Sequence, residues 1–255
     1  MVRKILSIVA WVLTGAALVA LFIAAREDYL GTPVKSYNVS LDPESANGFV
    51  KESAVLSELG AIGEGAKIGT VNMDAICKQL KANPWIESTS SYVDLDGTLN
   101  VSIKEHKPAF RVFGTNGQSA YITSEGVLLP TSDSHTPHLL IASGNFSFDP
   151  ALPHCLADSV EADRNLICAM SIDKAIGRND FIKSCIGQVY CNAANEFELV
   201  VTGIDARIIV GDTCQIDDKL KRLEVFVKSK AGSSELRNFK TINLKYRNQI
   251  VCTKR

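Results

Sequence analysis

The hydrophobic pattern of the chain opens with one long apolar run. Residues 5 to 25 contain no charged side chain, whereas Arg3 and Lys4 precede them and Arg26 follows. At 1.5 Å per residue such a helix is about 31 Å long, which matches a hydrocarbon core roughly 30 Å thick. The run predicts a transmembrane helix at 5–25, and the two positive charges place residues 1–4 in the cytoplasm as a short tail.

The rest of the chain would then lie outside the cytoplasm, in a single-pass protein of the inner membrane. A cleaved signal peptide is the alternative interpretation, but its apolar core would span only about 7 to 15 residues. Ile23-Ala24-Ala25 is also a poor small-x-small cleavage site. We therefore expect an uncleaved anchor.

Between residues 34 and 105, stretches whose apolar residues recur with the period of a strand alternate with stretches that have the period of a helix. The clearest element is a helix that begins after a capping Asn72, carries apolar residues at 73, 76, 77 and 80, and stops at Asn83-Pro84. Asp96-Gly97 is the strongest turn signal, and it joins two extended runs as a hairpin. In chain order we predict a strand at 34–41, a helix at 51–59 with Val55, Leu56 and Leu59 on its inner face, a glycine-rich loop at 60–69, the helix after Asn72, and strands at 85–95 and 98–105.

Beyond Lys107-Pro108 short strands become the commonest pattern, with two longer amphipathic segments among them. The predicted elements are strands at 110–113 and 119–123, a helix at 160–176, a meander of strands at 188–191, 196–202 and 206–210, a helix striped by Ile216, Leu220, Leu223 and Val227, and a last strand pair at 240–246 and 249–253. The fold class is therefore α+β. An N-terminal transmembrane helix precedes a β-α-α-β-β domain at 26–106 and a mostly antiparallel β domain with helices at 107–255.

The basic residues are concentrated near the C-terminus. The net charge of the chain is −1, but residues 216–255 hold 11 Lys and Arg against 4 Asp and Glu, a balance of +7 that leaves −8 for the rest. Outside the cytoplasm this favours an acidic protein partner or an anionic bilayer surface over nucleic acid. A merely solvated basic face is an equally good interpretation.

Seven cysteines follow the apolar run, in a compartment where disulfides can form. They are Cys77, Cys155, Cys168, Cys185, Cys191, Cys214 and Cys252. The odd number leaves at least one thiol free. Pairing of Cys185 with Cys191, or of Cys155 with Cys168, stays open.

Motifs that would indicate catalysis or a cofactor are weak. Gly60, Gly63 and Gly65 lack the Gly-Lys-Ser/Thr of a phosphate loop, and a helix rather than a strand precedes them. His135 and His138, with His154 and Cys155, could in principle hold zinc, but Pro137 puts the first two histidines on a loop. No Gly-x-Ser-x-Gly elbow is present. We predict no catalytic residue, no cofactor and no metal.

Several short stretches follow the anchor in a characteristic order. They are Phe49-Val50, Asn72-Met73-Asp74, Leu80-x-x-Asn83-Pro84-Trp85-Ile86, Asp96-Gly97-x-Leu99-x-Val101-x-Ile103-x-Glu105-x-x-Pro108, Tyr121-Ile122-Thr123-x-Glu125-Gly126, Leu129-Pro130, Lys219-Leu220-x-Arg222-Leu223 and Lys240-Thr241-Ile242-Asn243-Leu244-Lys245-Tyr246. The strand, helix, helix, strand, strand order beside a single anchor resembles a POTRA domain. With these stretches, which together cover most of residues 34 to 255, the chain resembles the FtsQ/DivIB family of bacterial cell-division proteins.

The resemblance implies a protein without catalytic activity or small-molecule substrate. Such a protein is a bitopic scaffold of the divisome at the division septum, which recruits FtsB/FtsL-type single-span proteins and links early and late divisome membrane proteins. Three positions depart from the family pattern, with Thr123 and Asn243 in place of Asp and Lys245 in place of Arg. Asn keeps a hydrogen-bonding group and Lys keeps the charge, but Lys lacks a bidentate guanidinium.

The resemblance also implies that the last strands receive a partner segment by strand addition. A strand pair so close to the C-terminus leaves an edge with unpaired N–H and C=O groups, which is either a hazard or a docking site. The predicted partner-binding residues are Asn243, Lys245, Tyr246, Arg247, Gln249, Ile250, Val251 and Thr253. Tyr246 would be the anchor and Lys245, Arg247 and Lys254 a positive rim. Alternatively, Lys245 and Lys254 only protect the edge against aggregation.

Two other classes of protein compete with this interpretation. A POTRA protein of envelope assembly or secretion would need the many alternating segments of a β-barrel with its aromatic girdles. Residues 106 to 255 instead hold three predicted helices or turns of helix, and the whole chain has only 18 aromatic residues. A membrane-anchored extracytoplasmic enzyme would need a thiol or metal centre, for which Cys155 is the candidate to test.

Overall fold

The computed structural model describes residues 2–63, 65–132, 135–149, 163–230, 236 and 238–255. They form two compact units, Met1–Glu105 and His106–Arg255. The predicted α+β fold class is confirmed, with an apolar N-terminal helix and a mixed, mostly antiparallel sheet with helices in the second unit.

The N-terminal helix α1 spans Val2–Gly31. Within it, Val9–Gly31 is long and apolar enough to cross a membrane, and its side chains are exposed up to Asp28, while Tyr29 and Leu30 are partly buried. The helix continues six residues past the predicted end at residue 25, through Arg26 and the two acidic residues after it. Charged side chains end an apolar run but are compatible with a helix in water, so the pattern indicated the apolar segment rather than the whole helix.

The first unit contains a three-stranded sheet covered by two helices. The elements are β1 (Ser36–Leu41), α2 (Glu52–Gly63), a 3-10 helix (Ile68–Thr70), α3 (Met73–Leu80), β2 (Ile86–Val93) and β3 (Thr98–Glu105). The central strand β3 pairs in parallel with β1 and antiparallel with β2. Its alternate residues Leu99, Val101 and Ile103 are buried, and α2 contacts β1 while α3 contacts β2. The predicted strand, helix, helix, strand, strand order is confirmed.

Local contacts explain the ends of these elements. The Asn72 side chain accepts a hydrogen bond from the Ala75 amide at 3.0 Å and caps α3 as predicted. The Glu105 carboxylate is completely buried. It accepts hydrogen bonds from the backbone amides of Asn47 and Val50 at 2.8 and 2.9 Å, which fixes the loop between β1 and α2. Phe49 stacks on Trp85 beside this loop. The two motif stretches that contain these aromatic residues therefore meet in the core.

Two details of α2 differ from the prediction. The helix does not end at Leu59 but continues through Gly60 to Gly63, so the loop is shorter than residues 60–69. A glycine costs a helix only about 1 kcal/mol relative to alanine, and the buried Val55 and Leu59 hold the helix on the sheet. Leu56 is 40% exposed rather than on the inner face.

The second unit is built on a nine-stranded sheet. Its strands are β4 (Pro108–Phe113), β5 (Ser119–Thr123), β6 (Leu128–Leu129), β7 (Leu140–Gly144), β8 (Ile186–Cys191), β9 (Phe197–Val201), β10 (Arg207–Gly211), β11 (Phe239–Asn243) and β12 (Val251–Lys254). Their spatial order is β12-β11-β10-β9-β8-β7-β4-β5-β6. The pairs β4–β7, β7–β8 and β10–β11 are parallel, and the other pairs are antiparallel. The predicted meander is β8, β9 and β10.

Among the described residues of the second unit, three helices pack on the sheet and bury a core with it. They are α4 (Arg164–Gly177), α5 (Asp180–Cys185) and α6 (Ile216–Ser229). Leu166 and Ile172 of α4 and Leu220 and Leu223 of α6 pack with the inward side chains of the strands. The apolar stripe predicted for α6 is confirmed. The helix predicted at 160–176 begins at Arg164 after the capping Asp163, and its predicted first residues, 160–162, lie outside the described part.

A test of the first unit compares two leucines on its helices. The side chain of Leu80, the last residue of α3, is 1% exposed, whereas that of Leu56 on α2 is 40% exposed. Leu80→Ala should lower the free energy of unfolding by about 2 to 5 kcal/mol, because it leaves a cavity in the core. Leu56→Ala should change it by less than about 1 kcal/mol, as surface substitutions do.

The measurement is urea unfolding of residues 27 to 255, followed by circular dichroism. Equal midpoints for the two variants would contradict the packing of α3 on the sheet.

Candidate functional site

Strand β12 is one of the two outermost strands of the nine-stranded sheet. On one side it pairs antiparallel with β11, with Val251 opposite Asn243 and Thr253 opposite Thr241. On its other side no strand of the described residues pairs with it. The C-terminal end of the described chain therefore presents an open sheet edge, where the prediction placed it.

The backbone geometry shows which groups face that open edge. The Arg255 amide donates to the Asn238 carbonyl at 2.9 Å, so residue 255 points towards the β11 side. Along an antiparallel strand, alternate residues point their N–H and C=O groups to opposite sides. The backbone groups of Cys252 and Lys254 accordingly point away from β11 and are available to another strand.

The connection between β11 and β12 is organised by Arg222 on α6. Its Nη1 donates to the carbonyls of Tyr246 at 2.6 Å and Gln249 at 2.8 Å, and its Nη2 donates to the carbonyl of Leu244 at 3.2 Å. A guanidinium can bind three carbonyls at once because its donors form a rigid planar fork. Asn248 turns the chain with a φ of 60°.

This arrangement explains why the last strands are shorter than predicted. The predicted strands 240–246 and 249–253 are observed as Phe239–Asn243 and Val251–Lys254. The carbonyls between them bind Arg222 and so are withdrawn from the strand ladder. Lys245, Tyr246, Arg247, Gln249 and Ile250 consequently lie on the connection, not on strands.

Lys245 has a partner inside the second unit. Its Nζ forms an ion pair with Glu196, and its aliphatic carbons lie against Gly211, where a Cβ would be 2.7 Å from Lys245 Cγ. The hydrogen bond that Lys245 donates to the Glu196 carboxylate raises the pKa of Lys245 above its usual value. The Asn243 side chain accepts from the Lys245 amide at 3.0 Å. Lys245 thus offers less free charge to a partner than the sequence suggested.

The other predicted site residues are more accessible. Tyr246 is 49% exposed, and Arg247, Gln249, Val251 and Thr253 are also exposed. Ile250 is partly buried against the core. The structure therefore brings these predicted side chains to one border of the second unit, with the Tyr246 ring accessible to solvent.

A groove beside the edge was not predicted from the sequence. It has a volume of about 490 Å³ and lies between α6 and the β11–β12 connection. Its lining residues are Lys221, Arg222, Val225, Phe226, Ser229, Asn248, Gln249 and Ile250. Val225 is strongly exposed, which leaves an apolar surface next to the open strand. In the sequence, the only sign of this surface was that Val225 is apolar but lies outside the apolar stripe of α6.

The surroundings of the edge are basic. Arg255 pairs with Asp205 at 3.3 Å, but within the described part of the chain no carboxylate pairs with Lys221, Arg247 or Lys254. These three residues are exposed. The groove and the strand edge are therefore flanked by free positive charge.

The cysteines do not form a reactive centre among the described residues. The six in this part of the chain are free thiols, so Cys185 is not paired with Cys191, while Cys155 lies outside it. Burial, and then the nearby Asp163 carboxylate, raise the pKa of Cys191 to about 11. Because the thiolate is the nucleophile, this buried thiol is a poor one at neutral pH.

The candidate zinc ligands can be placed only in part. His135 and His138 belong to the described residues, whereas His154 and Cys155 do not. Among the described residues no three His, Cys, Asp or Glu side chains come together in a way that could hold a metal ion.

Substitution of Arg222 tests how the connection is held. Arg222→Ala removes three charge-assisted hydrogen bonds and should lower the free energy of unfolding by about 1.5 to 3 kcal/mol. Arg222→Lys should recover only part of this loss, because one ammonium cannot bind three carbonyls as the planar fork does. Urea unfolding of residues 27 to 255 measures both effects.

Lys221→Ala is the matched control, since the neighbouring Lys221 is exposed and has no carboxylate partner among the described residues. An Arg222→Ala midpoint equal to that of Lys221→Ala would show that the three hydrogen bonds contribute nothing to stability.

A comparison with known families agrees with this architecture. The model of the family described as FtsQ/DivIB, C-terminal related, matches residues 107–253, which is more than half of the 255 residues and includes all nine strands of the second unit except the last residue of β12. No curated protein matches the chain. Three features, the apolar N-terminal helix, the fold of the second unit and the extent of this match, lead to one identification: the chain belongs to the FtsQ/DivIB family of cell-division proteins.

Proposed function

We propose that the protein is a bitopic scaffold of the bacterial divisome that binds FtsB/FtsL-type single-span proteins at the open edge of β12 and links early and late division proteins at the septum. The part of the first unit that follows α1 would be the POTRA domain, and the second unit would be the β domain. The observation that carries the proposal is the outermost position of β12 beside an exposed apolar groove.

Strand addition fits the geometry of this edge. The outward backbone groups of Cys252 and Lys254 supply hydrogen-bond donors and acceptors to an extended partner segment, which gives affinity without dependence on side chains. The exposed Val251 and Thr253 lie on the same strand and would select the partner side chains beside them. An occupied edge also removes the aggregation hazard of an open strand.

The groove supplies the apolar contacts that strand pairing alone lacks. Val225 and Phe226 of α6 and Ile250 form its apolar lining, and Tyr246 lies on the adjoining connection. Exposed aromatic residues beside an apolar pocket are typical of the residues that dominate binding energy. A partner segment that continues from strand to helix would fill both the edge and the groove.

The partner should be acidic. Lys221, Arg247 and Lys254 flank the site without carboxylate partners in the described part of the chain, and residues 216–255 carry a net charge of +7. Complementary charge steers association and fixes orientation more than it adds affinity. This chemistry suits a carboxylate-rich segment of a division protein.

The anchor sets where binding occurs. Helix α1 would hold the protein in the inner membrane, with its N-terminus in the cytoplasm and with the rest of the first unit and the second unit in the extracytoplasmic space. The role requires no catalytic residue, in keeping with a family of non-enzymatic division proteins.

The test is binding of residues 27 to 255 to a purified FtsB/FtsL-type pair. Tyr246→Asp should weaken binding by about 2 kcal/mol or more, because it puts an unpaired charge into the contact. A truncation after Asn248 removes β12 and should abolish binding. Higher salt should slow association, because exposed charges are screened beyond about 8 Å at physiological ionic strength.

Tyr190→Asp is the matched control, because Tyr190 is similarly exposed but lies on the central strand β8, away from the edge. It should bind like the unsubstituted chain. If Tyr246→Asp and the truncated chain are folded by circular dichroism and bind with unchanged affinity, the docking edge lies elsewhere.

A further inference from the structure

The C-terminal end of α1 is docked on the first unit rather than connected to it by a free tether. The Tyr29 hydroxyl donates to the Val93 carbonyl at the end of β2, at 2.8 Å. Leu30 lies against Gly69 of the 3-10 helix, where a Cβ would be 3.1 Å from the Leu30 Cβ. The Ile68 amide donates to the Thr32 carbonyl at 2.9 Å. The membrane helix and this end of the first unit therefore hold each other in place.

The turn between β2 and β3 packs at the same junction. The Lys35 amide donates to the Gly97 carbonyl at 2.9 Å. Gly97 has a φ of 92°, and a Cβ there would lie 2.9 Å from the Pro33 carbonyl oxygen. Only glycine fits this close approach. The hairpin turn is thus fixed beside the chain where it leaves α1.

The length of α1 places this junction at the membrane surface. Tyr29 follows the last residue of the uncharged run, Ala25, by four residues, or about 6 Å along a helix. The polar layer on each side of the hydrocarbon core is about 5 to 7 Å thick. The end of β2, bonded to Tyr29, therefore lies at the depth of the lipid headgroups.

The turn presents apolar side chains at this depth. Leu95 is 89% exposed, more than any other large hydrophobic residue of the described chain, and Tyr92 is 57% exposed. The two acidic residues beside Leu95 are occupied within the hairpin, since Asp94 accepts from the Asn100 side chain at 2.7 Å and Asp96 accepts from the Thr98 amide at 3.0 Å. A protruding leucine in water serves no packing purpose here.

We propose that the β2–β3 turn is a second membrane contact, in which Leu95 and Tyr92 insert into the headgroup layer of the bilayer that α1 spans. The inference rests on the proposed anchoring by α1. Aromatic and aliphatic side chains are favoured at this depth, where one end is apolar and the other is wet. The contact fixes how the first unit stands on the membrane.

The contact is hydrophobic rather than electrostatic. Around the junction the chain carries four acidic residues, Glu27, Asp28, Asp94 and Asp96, against three basic ones, Arg26, Lys35 and Lys67. Acidic groups outnumber basic ones, so anionic lipids would not be attracted. The contact should persist in bilayers of phosphatidylcholine alone.

The test is photo-crosslinking of the full chain in phosphatidylcholine nanodiscs, with p-benzoylphenylalanine at one position at a time. At Leu95 irradiation should produce a phospholipid adduct, detected by mass spectrometry of the peptide. The matched position is Ser88, which is exposed on β2 and lies about 16 Å from Val93, the end of that strand, at 3.3 Å per residue. No adduct above background is expected there. Leu13, exposed in the middle of α1, is the positive control.

The outcomes separate the inference from the anchoring. An adduct at Leu13 without one at Leu95 would overturn the inference and leave the anchor intact. No adduct at Leu13 would overturn both. Equal adducts at Leu95 and Ser88, or a crosslink from Leu95 to a second copy of the chain, would also contradict a specific contact of the turn with lipid.

Discussion

The C-terminal unit depends on the packing of α6 across one face of its nine-stranded sheet. Leu220 and Leu223 bury the inner face of this helix, and the helix connects the parallel neighbours β10 and β11. The buried Lys219 ties the same helix to the end of β10 through the carbonyls of Val210 and Asp212. Arg222, one turn away, holds the connection to β12. Because α6 places β11 beyond β10, the short strand that follows has no position left except the edge.

An open edge is a liability that a stable protein must manage or use. Here β12 is short, which limits accidental pairing, and Lys254 adds charge to it. The groove lined by Val225 and Phe226 has no such protective purpose, since apolar surface beside an open strand increases the hazard. The combination is better explained by a partner that covers both features. Because Lys245 pairs internally with Glu196, affinity in the proposed complex would depend more on the edge, the groove and Tyr246 than on that charge.

The sequence predicted those parts of the structure in which short-range chemistry decides the outcome. Three features could be predicted because each depends on residues only a few positions apart. They are the helix cap at Asn72, the turn at Gly97 and the apolar stripe of α6. Strand β7 was missed because its residues, Leu140 to Gly144, do not alternate between apolar and polar types, and α5 was missed because six residues are too few for a helical period. The role of Arg222 depends on contacts 22 to 27 residues away, which no local pattern reveals. The edge itself was predicted, but the extent of its strands was not.

The most direct test of the central claim is amide hydrogen exchange of the full chain, with and without an FtsB/FtsL-type pair. Without the partner, the amides of Cys252 and Lys254 should exchange quickly, because they point away from β11. On binding, these two amides should become protected, while that of Thr253 should change less because it already faces β11. Protection that appears on another surface while Cys252 and Lys254 still exchange quickly would contradict strand addition at β12.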